Sequence, residues 1–315
     1  MNAAIEVRNL TKKYAKSSVN AVDDISFSVK EGEFFAFLGP NGAGKTTAIS
    51  VLTTTLAKTS GDVQVAGYDI ATQAAQVRQN IGIIFQNPSL DKNLTAEENI
   101  RFHAVLYGLY PFSPFFSWMP NEYKQKVKEL SELIGISDAL DKPVKTFSGG
   151  MKRKLEIVRS LLHNPKVLFL DEPTTGLDPA SRKSLWEYIL QVRKTQGTTI
   201  FLTTHYLDEA EGADRVVVIN KGKIIADGTP QALKRELTKN FMRVTPKTLS
   251  KFVKELQTLG IEYSVEGIHV NIPIKNAGVD VQKLLKTIES ELVDIDIHSP
   301  SLNDAYIQLI TTEHE

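Results

Sequence analysis

Cysteine is absent from this 315-residue chain, so the sequence excludes disulfide bonds, thiolate metal sites and cysteine nucleophiles. An excess of charge of one sign is also missing, because Lys and Arg number 37 and Asp and Glu number 37. A chain without net charge has no global field that would draw it to nucleic acid or to an anionic bilayer. We therefore expect binding at local sites, and no nucleic acid among the partners.

Long apolar runs are lacking as well, since no stretch approaches the ~18 consecutive apolar residues of a membrane-spanning helix. The N-terminal residues carry charges and lack the apolar segment of a signal peptide. The sequence therefore predicts a cytoplasmic protein that reaches a membrane only through another subunit. Hydrophobic residues at 42% and charged residues at 23% are typical of a globular chain, and the length predicts two domains.

Apolar runs bounded by turn signals predict strands at 5–10, 25–29, 34–38, 63–66, 81–85, 167–170 and 198–202. Helices are expected from about Lys45, after Ser148 and from Pro179, and strands that alternate with helices favour a mainly parallel sheet. The T-x-x-E pattern at Thr95 predicts a capped helix that ends near residue 108, and a second helix is expected over 122–134. These helices indicate a helical subdomain at about 87–160.

The pattern changes beyond residue 230, which divides the chain into predicted domains at 1–230 and 231–315. Strands are expected at 241–245, 261–265, 268–274 and 292–298, and helices at 247–258 and 279–291. The order β-α-β-β-α-β predicts a small α+β domain of ferredoxin-like type.

A phosphate-binding loop is predicted by the pattern G-x-x-x-x-G-K-[ST], which lies between a buried strand and a helix. Its residues are Gly39, Pro40, Asn41, Gly42, Ala43, Gly44, Lys45 and Thr46, and we include Thr47 in the nucleotide-binding set. Backbone N–H groups would wrap the phosphates, Lys45 would neutralise the terminal phosphates, and the Thr46 hydroxyl would bind Mg²⁺. The alternative is a glycine-rich turn without a ligand.

Two carboxylates, Asp171 and Glu172, end the apolar strand at 167–170. Charges at the end of a buried strand are costly unless a cation and a water molecule occupy the site. We expect Asp171 to hold Mg²⁺ through water and Glu172 to act on the attacking water as its general base or as the group that orients it. A pair in a surface turn is the alternative.

A third motif, Phe147-Ser148-Gly149-Gly150-Met151, precedes a basic helix. A serine N-cap, two glycines and a helix N-terminus make a second phosphate site, although the same residues could serve only as a cap. The motif resembles the LSGGQ signature of ABC (ATP-binding cassette) ATPases. The following run at 152–154 is typical of a solvated face, with a phosphate contact as the alternative.

The resemblance extends in family order to Gln86 (Q-loop), 176–178 (D-loop) and His205 (switch histidine). It implies a P-loop NTPase cassette with a parallel-sheet core, an antiparallel β subdomain and a helical subdomain. It also implies that Gln86 senses Mg²⁺ and the attacking water and that His205 bonds the γ-phosphate. Tyr14 lies where this family stacks an aromatic ring on adenine, with plain packing as the alternative.

Segments 95–99, 150–155, 171–179 and 299–306 are similar to those of ABC-2 or daunorubicin-resistance exporter subunits. This similarity implies a homodimer that closes on two ATP molecules and drives a separate ABC-2 permease, at the inner face of the membrane. A soluble ABC ATPase acting on ribosomes or nucleic acid is the alternative function, and a sensor role for 240–315 is compatible with export. The proline- and aromatic-rich segment 110–120 departs from the family, and it either docks on a partner or caps its own subdomain.

Overall fold

The computed structural model describes residues 3–86, 89–237, 241–274, 281–282, 285–298 and 301–312. The chain divides into two compact units, Met1–Gly228 and Thr229–Glu315. The strands of the first unit are β1 Ala3–Lys13, β2 Asn20–Lys30, β3 Phe34–Leu38, β4 Ser60–Val65, β5 Tyr68–Asp69, β6 Ile81–Ile84, β7 Val167–Asp171, β8 Thr199–Thr204, β9 Arg215–Asn220 and β10 Lys223–Gly228. Its helices are α1 Lys45–Leu52, α2 Ala74–Asn80, α3 Ala96–Leu106, α4 Asn121–Ile134, α5 Gly149–Leu161, α6 Pro179–Gln196 and α7 Leu207–Ala210.

The central sheet has six strands in the order β10-β9-β3-β8-β7-β6, and every pair except β9–β10 is parallel. All residues of β3, β7 and β8 are buried, as strands covered on both faces must be. The predicted parallel-sheet core is therefore confirmed. Because parallel strands end at one edge, the turns after β3, β8 and β7 all lie at that edge, with the turn after β8 between the other two.

An antiparallel sheet in the order β2-β1-β4-β5 forms the second layer. Phe27 of this sheet stacks on Phe35 of the central sheet, with ring centroids 5.4 Å apart, and lies 6.1 Å from Phe201. The two sheets thus share one aromatic core.

The helical subdomain contains α3, α4 and α5. Thr95 and Glu98 form the predicted capping box: Glu98 N donates to Thr95 Oγ1 over 3.2 Å, and Thr95 N donates to Glu98 Oε2 over 2.8 Å. Helix α4 ends at Gly135, whose φ of 70° is the left-handed conformation that favours glycine. Across the described part of the chain, no helix has both the length and the apolar content needed to cross a membrane.

Three aromatic side chains of the segment 110–120 face solvent: Phe112 is 64% exposed, Phe115 56% and Trp118 69%. Met119 of the same segment is buried. Phe116 is less exposed, at 38%, and its ring makes an edge contact with Tyr123 at 6.0 Å. The segment thus caps its subdomain through Met119 and leaves its larger aromatics on the surface.

The second unit contains α8 Pro230–Leu237, β11 Phe241–Pro246, α9 Leu249–Thr258, β12 Ser264–Glu266, β13 His269–Pro273, β14 Leu292–His298 and α10 Leu302–Thr312. Its sheet has the order β12-β13-β11-β14 with every pair antiparallel. Phe252 and Leu256 of α9 pack into the core over this sheet. In the predicted helix 279–291, residues 281–282 and 285–287 are helical and residues 288–291 are not. Residues 279–280 and 283–284 lie outside the described residues. The ferredoxin-like assignment therefore stays a prediction.

The first two residues of the expected C-terminal motif 299–306 lie outside the described residues. Within the rest of the motif, Ser301 and Asp304 form a helix cap. Ser301 N donates to Asp304 Oδ2 over 2.8 Å, and Asp304 N donates to Ser301 Oγ over 3.2 Å. This reciprocal pair starts α10, which the sequence analysis did not assign.

Candidate nucleotide-binding site

The loop 39–44 joins the end of β3 to α1 and borders a cavity of about 440 Å³. The cavity is lined by Ala21, Asn41, Gly42, Gly44, Lys45, Thr46, Thr47, Gln86, Glu172, Thr175 and His205. Gly42 and Gly44 have φ angles of 80° and 111°, which glycine adopts far more readily than other residues. The loop therefore turns its backbone toward the cavity at the N-terminus of α1, an arrangement that suits an anion.

Lys45 is buried under the loop it follows. Its Nζ donates to Gly39 O over 2.7 Å and to Pro40 O over 3.1 Å, and it lies 3.9 Å from Glu172 Oε1. Burial lowers the pKa of Lys45, while the nearby Glu172 and Asp171 act in the opposite direction. Polyphosphate in the cavity would give this ammonium a further anionic partner beside Glu172 and stabilise its charge.

Asp171 ends β7 in a buried position next to the loop. Its Oδ1 accepts a hydrogen bond of 2.5 Å from Thr203 Oγ1, and the Thr46 side chain lies near enough to this carboxyl to help lower its pKa. Burial raises the pKa of Asp171, and the hydrogen bond from Thr203 opposes that shift. The structure therefore places the predicted metal residues Thr46 and Asp171 together.

These oxygen donors fit Mg²⁺, which proteins hold through one or two carboxylates together with substrate phosphates. Among the described residues, no group of three or more His, Cys, Asp and Glu side chains could hold a metal by itself. Gln86, the third predicted metal residue, lines the same cavity, and its side-chain amide donates to Glu172. A cation in this site would need oxygens from the nucleotide.

Glu172 is the point where the three predicted catalytic residues meet. Its Oε2 accepts a hydrogen bond of 3.1 Å from Gln86 Nε2, and His205 Nδ1 lies 3.3 Å from the same oxygen. The backbone φ of Glu172 is 47°, a left-handed conformation that non-glycine residues adopt at a cost of ~1–3 kcal/mol. This turn directs the carboxylate into the cavity, and such strain is concentrated at functional sites.

Threonines next to these motifs complete the site, although the sequence analysis did not select them. Thr175 Oγ1 donates to Glu172 Oε2 over 3.5 Å and lines the cavity. Buried Glu209 accepts hydrogen bonds from Thr174 and, at 2.6 Å, from Thr204, so it ties the turn after β7 to the turn that carries His205. In the sequence, only their position close to a motif residue indicates that these threonines belong to the site.

Tyr14 follows β1 beside the start of α1. Its hydroxyl lies 3.3 Å from Thr47 Oγ1, and its ring is 44% exposed. Lys12 Nζ lies 5.5 Å from the ring centroid. The ring is thus held next to the phosphate-binding helix with a face available for stacking.

The signature residues Ser148, Gly149 and Gly150 do not line the cavity of their own chain. Ser148 is the N-cap of α5, and its Oγ accepts a hydrogen bond of 3.2 Å from Met151 N. A Cβ at Gly150 would lie 2.9 Å from Ser181 Oγ, so any larger residue there would have to displace the Ser181 side chain at the start of α6. Ser148 and Gly149 are exposed, which leaves the signature loop free to meet a ligand presented from outside.

The interpretation of 152–154 as a solvated face is wrong at Arg153, whose side chain is 3% exposed. Helix α5 turns this residue toward β7 and toward the segment after β6. Backbone carbonyls there, including Gln86 O at 2.9 Å and Pro173 O at 2.8 Å, accept its N–H groups. The charge is buried because it is hydrogen-bonded on all sides.

Comparison with known proteins gives the family of this site. The family model of the ABC transporter matches residues 22–175. The doxorubicin resistance ATP-binding protein DrrA of Mycobacterium tuberculosis is 34% identical over 99% of this chain and 95% of that protein. The daunorubicin/doxorubicin resistance ATP-binding protein DrrA of Streptomyces peucetius is 42% identical over 76% of this chain and 70% of its own length.

Among solved structures, the ADP conformation of MJ1267, an ATP-binding cassette of an ABC transporter, superposes with a TM-score of 0.64. It is 29% identical and covers 74% of this chain and 93% of that one. The loop, the paired carboxylates and the signature serine are thus arranged on the fold of that cassette. Identity of 34% along nearly the whole length of a named relative establishes that this chain belongs to the ABC transporter family, as an ATP-binding ATPase.

Proposed function

We propose that this chain powers export through a separately encoded membrane permease of ABC-2 type. The observation that carries this proposal is the convergence of Gln86, Glu172 and His205 on the cavity of the phosphate-binding loop. Both compared relatives are resistance proteins by name, which supports export as the work done by hydrolysis. The alternative of an ATPase acting on ribosomes or nucleic acid gains no support from these relatives or from the balanced charge.

The loop residues bind and neutralise the triphosphate. Backbone N–H groups of 39–44 and the N-terminus of α1 face the phosphates, and Lys45 adds its charge to the terminal ones. Mg²⁺ would be held by Thr46 and Asp171, with Gln86 as the third predicted contact, and would neutralise charge that develops on the phosphates. Tyr14 would stack on adenine.

Glu172 then orients the attacking water and accepts its proton. Gln86 and His205 both approach Oε2 of the Glu172 carboxylate, and His205 would donate a hydrogen bond to the γ-phosphate. Lys45 Nζ lies 3.9 Å from Glu172 Oε1, so the ammonium and the carboxylate border the same part of the cavity. This arrangement positions the reactants, which is the main source of catalysis in phosphoryl transfer.

A homodimer would complete the site. The signature loop is exposed and lies outside its own chain's cavity, so Ser148 and the two glycines would meet the nucleotide bound by a second copy. Two ATP molecules would thus be enclosed between two chains, and closure would move the permease. We place the chain in the cytoplasm, at the inner face of the membrane, held there by that permease. A sensor role for the C-terminal unit is compatible with this proposal.

The test is Glu172→Gln, which keeps the shape of the side chain but cannot accept a proton as a carboxylate does. We expect steady-state ATPase activity to fall at least a hundredfold, ATP binding to persist, and a dimer to appear in size-exclusion chromatography only with ATP. Exposed Glu187→Gln on α6 is the control and should behave as the parent. ATPase activity near the parental rate would refute the role of Glu172.

Export is tested separately in cells that contain the membrane subunit. Resistance or efflux that depends on that subunit should disappear with Glu172→Gln and persist with Glu187→Gln. Efflux that is unaffected by Glu172→Gln would refute the exporter assignment while leaving the ATPase in place.

A further inference from the structure

Arg153 lies on α5, five residues after the signature serine, and its guanidinium is enclosed in the first unit. A guanidinium has five N–H donors. Five hydrogen bonds leave this one, to Phe85 O, Gln86 O (2.9 Å), Glu172 O (3.4 Å), Pro173 O (2.8 Å) and Glu156 Oε2 (2.8 Å). The side chain is therefore saturated by four backbone carbonyls and one carboxylate.

The four carbonyls belong to two segments that meet at the catalytic carboxylate. One segment is 85–86, whose Gln86 side chain donates to Glu172; the other is 172–173, which contains Glu172 itself. Arg153 thus donates to the backbone carbonyls of both residues whose side chains form the hydrogen bond between Gln86 and Glu172. One of these carbonyls is that of Glu172, the residue with the left-handed φ of 47°.

Glu156, the fifth acceptor, connects Arg153 to the part of the chain that follows Gln86. Its Oε1 accepts a hydrogen bond of 3.1 Å from Ser89 N. Arg159, one turn further along α5, donates to Ser89 O over 2.7 Å and to Ser89 Oγ over 2.6 Å. Helix α5 therefore holds the Q-loop segment both before and after residues 87–88.

The same helix begins at the signature serine, whose Oγ caps it. A ligand that moved the signature loop would therefore move the start of α5. A helix transmits a shift of its N-terminus along its axis because its backbone is rigid. We propose that Arg153 is a positioning residue, which makes the alignment of Gln86 and Glu172 depend on engagement of the signature loop. The proposal rests on the proposed roles of Glu172, Gln86 and the signature loop.

Only arginine meets the geometry. Lysine has three donors on a single nitrogen and lacks the planar fork of a guanidinium. It cannot bond the segments 85–86 and 172–173 and the Glu156 carboxylate at the same time. ATP binding itself should not depend on Arg153, because its five hydrogen bonds go to none of the predicted ATP-binding residues Lys45, Thr46 and Tyr14. A positioning role therefore predicts a loss in kcat and not in affinity.

The experiment compares Arg153→Lys with Arg101→Lys in the full chain. Arg101 is a matched control: it is 5% exposed, donates to Glu97 Oε1 over 3.0 Å and to Ser113 O over 2.6 Å, and contacts neither Gln86 nor Glu172. We expect both variants to lose thermal stability. Arg153→Lys should in addition lower kcat at least tenfold with the Kd for ATP changed less than threefold, while Arg101→Lys keeps kcat within twofold.

A second comparison uses the background Gln86→Ala. If Arg153 acts by aligning Gln86 and Glu172, Arg153→Lys should lower kcat by a smaller factor in that background than in the parent, because coupled residues are not additive. Glu156→Gln, which keeps an acceptor for Arg153, should give a smaller kcat loss in the same direction and serves if Arg153→Lys does not fold.

The positioning role is refuted if Arg153→Lys and Glu156→Gln reduce kcat no more than Arg101→Lys, or if the loss appears in the Kd for ATP. Full additivity with Gln86→Ala would refute it as well. These results are distinguishable from failure of the proposed function, because Glu172→Gln would still abolish turnover.

Discussion

The side-chain nitrogen Nε2 of Gln86 donates a hydrogen bond of 3.1 Å to Oε2 of Glu172. The two residues are 86 positions apart in sequence and belong to the turns after β6 and β7. Since β6 and β7 are parallel neighbours, their carboxyl ends bring both turns to one edge. The carboxylate that we propose as the general base therefore accepts a hydrogen bond from a residue of the Q-loop.

Gln86→Ala should lower kcat by about tenfold to a hundredfold, because a misplaced catalytic group can cost that much. The affinity for ATP should stay near the parental value, as the loop 39–46 is untouched. Steady-state kinetics measure kcat, and equilibrium binding measures the affinity for ATP. Gln125→Ala, which removes an exposed pair with Glu129, is the control. A change confined to the Kd for ATP would contradict the role of Gln86.

Tyr14→Ala should weaken ATP binding by roughly 1–3 kcal/mol, the usual value of stacking between a base and an aromatic ring. Tyr14→Phe keeps the ring and loses only the hydroxyl that lies 3.3 Å from Thr47 Oγ1, so its affinity should match the parent. Titration with ATP and with inorganic triphosphate separates the contributions. If Tyr14→Ala weakened triphosphate binding as much as ATP binding, the ring would not act on adenine.

His103 predicts how the stability of the first unit depends on pH. Burial lowers the pKa of His103 to about 3, and the nearby charges of Arg159 and His163 act in the same direction. Its ring contacts Tyr107 at 4.1 Å, and its Nε2 has no hydrogen-bond partner among the described residues. Below the ordinary pKa of about 6.5, the unfolded chain binds a proton at this residue that the folded chain does not.

The free energy of unfolding should therefore fall as the pH decreases from about 6.5 toward 3, by up to about 1.4 kcal/mol per pH unit for this group. His103→Phe keeps the contact with Tyr107 and removes the titration. Its loss of stability between pH 7.5 and pH 5, measured by urea unfolding, should be about 2 kcal/mol smaller than that of the parent. Equal losses in both proteins would contradict the assignment of His103.

Much of the site could be predicted because its signals are local. The residues from Gly39 to Thr46 are contiguous, and the strand before them is apolar throughout, so one window contains strand, turn and helix start. Asp171 and Glu172 likewise end a buried strand. The capping box at Thr95 is recognisable for the same reason, since both partners lie within four residues.

Contacts between distant segments could not be predicted. The three basic residues at 152–154 look alike in the sequence, and the acceptors that bury Arg153 lie up to 68 positions away. The C-terminal domain shows a similar limit at strand β12, predicted from 261 but starting at Ser264. Ile261 N instead donates to Leu256 O over 3.0 Å and closes the end of α9.

The exposed aromatics of 110–120 lie on a loop that is fixed to the subdomain. Arg101 of α3 donates to Ser113 O over 2.6 Å, and Met119 is buried beneath the loop. Phe115 and Trp118 make an edge contact at 5.0 Å on the outer side. A fixed loop with an aromatic outer surface is typical of an interface, since aromatics anchor most interfaces.

Replacing Phe112, Phe115 and Trp118 together with Ser should therefore leave the ATPase activity and the melting temperature of the isolated chain nearly unchanged, while recruitment to membranes that contain the permease is lost. Met119→Ser is the contrasting variant: it removes a buried side chain, so the melting temperature should fall by several degrees. Co-sedimentation with permease-containing vesicles and with protein-free vesicles identifies the partner, because binding to both would point to the lipid surface. If the triple variant lowered the melting temperature as much as Met119→Ser and still bound permease vesicles normally, the aromatics would belong to the subdomain's own packing, and docking through them would be wrong.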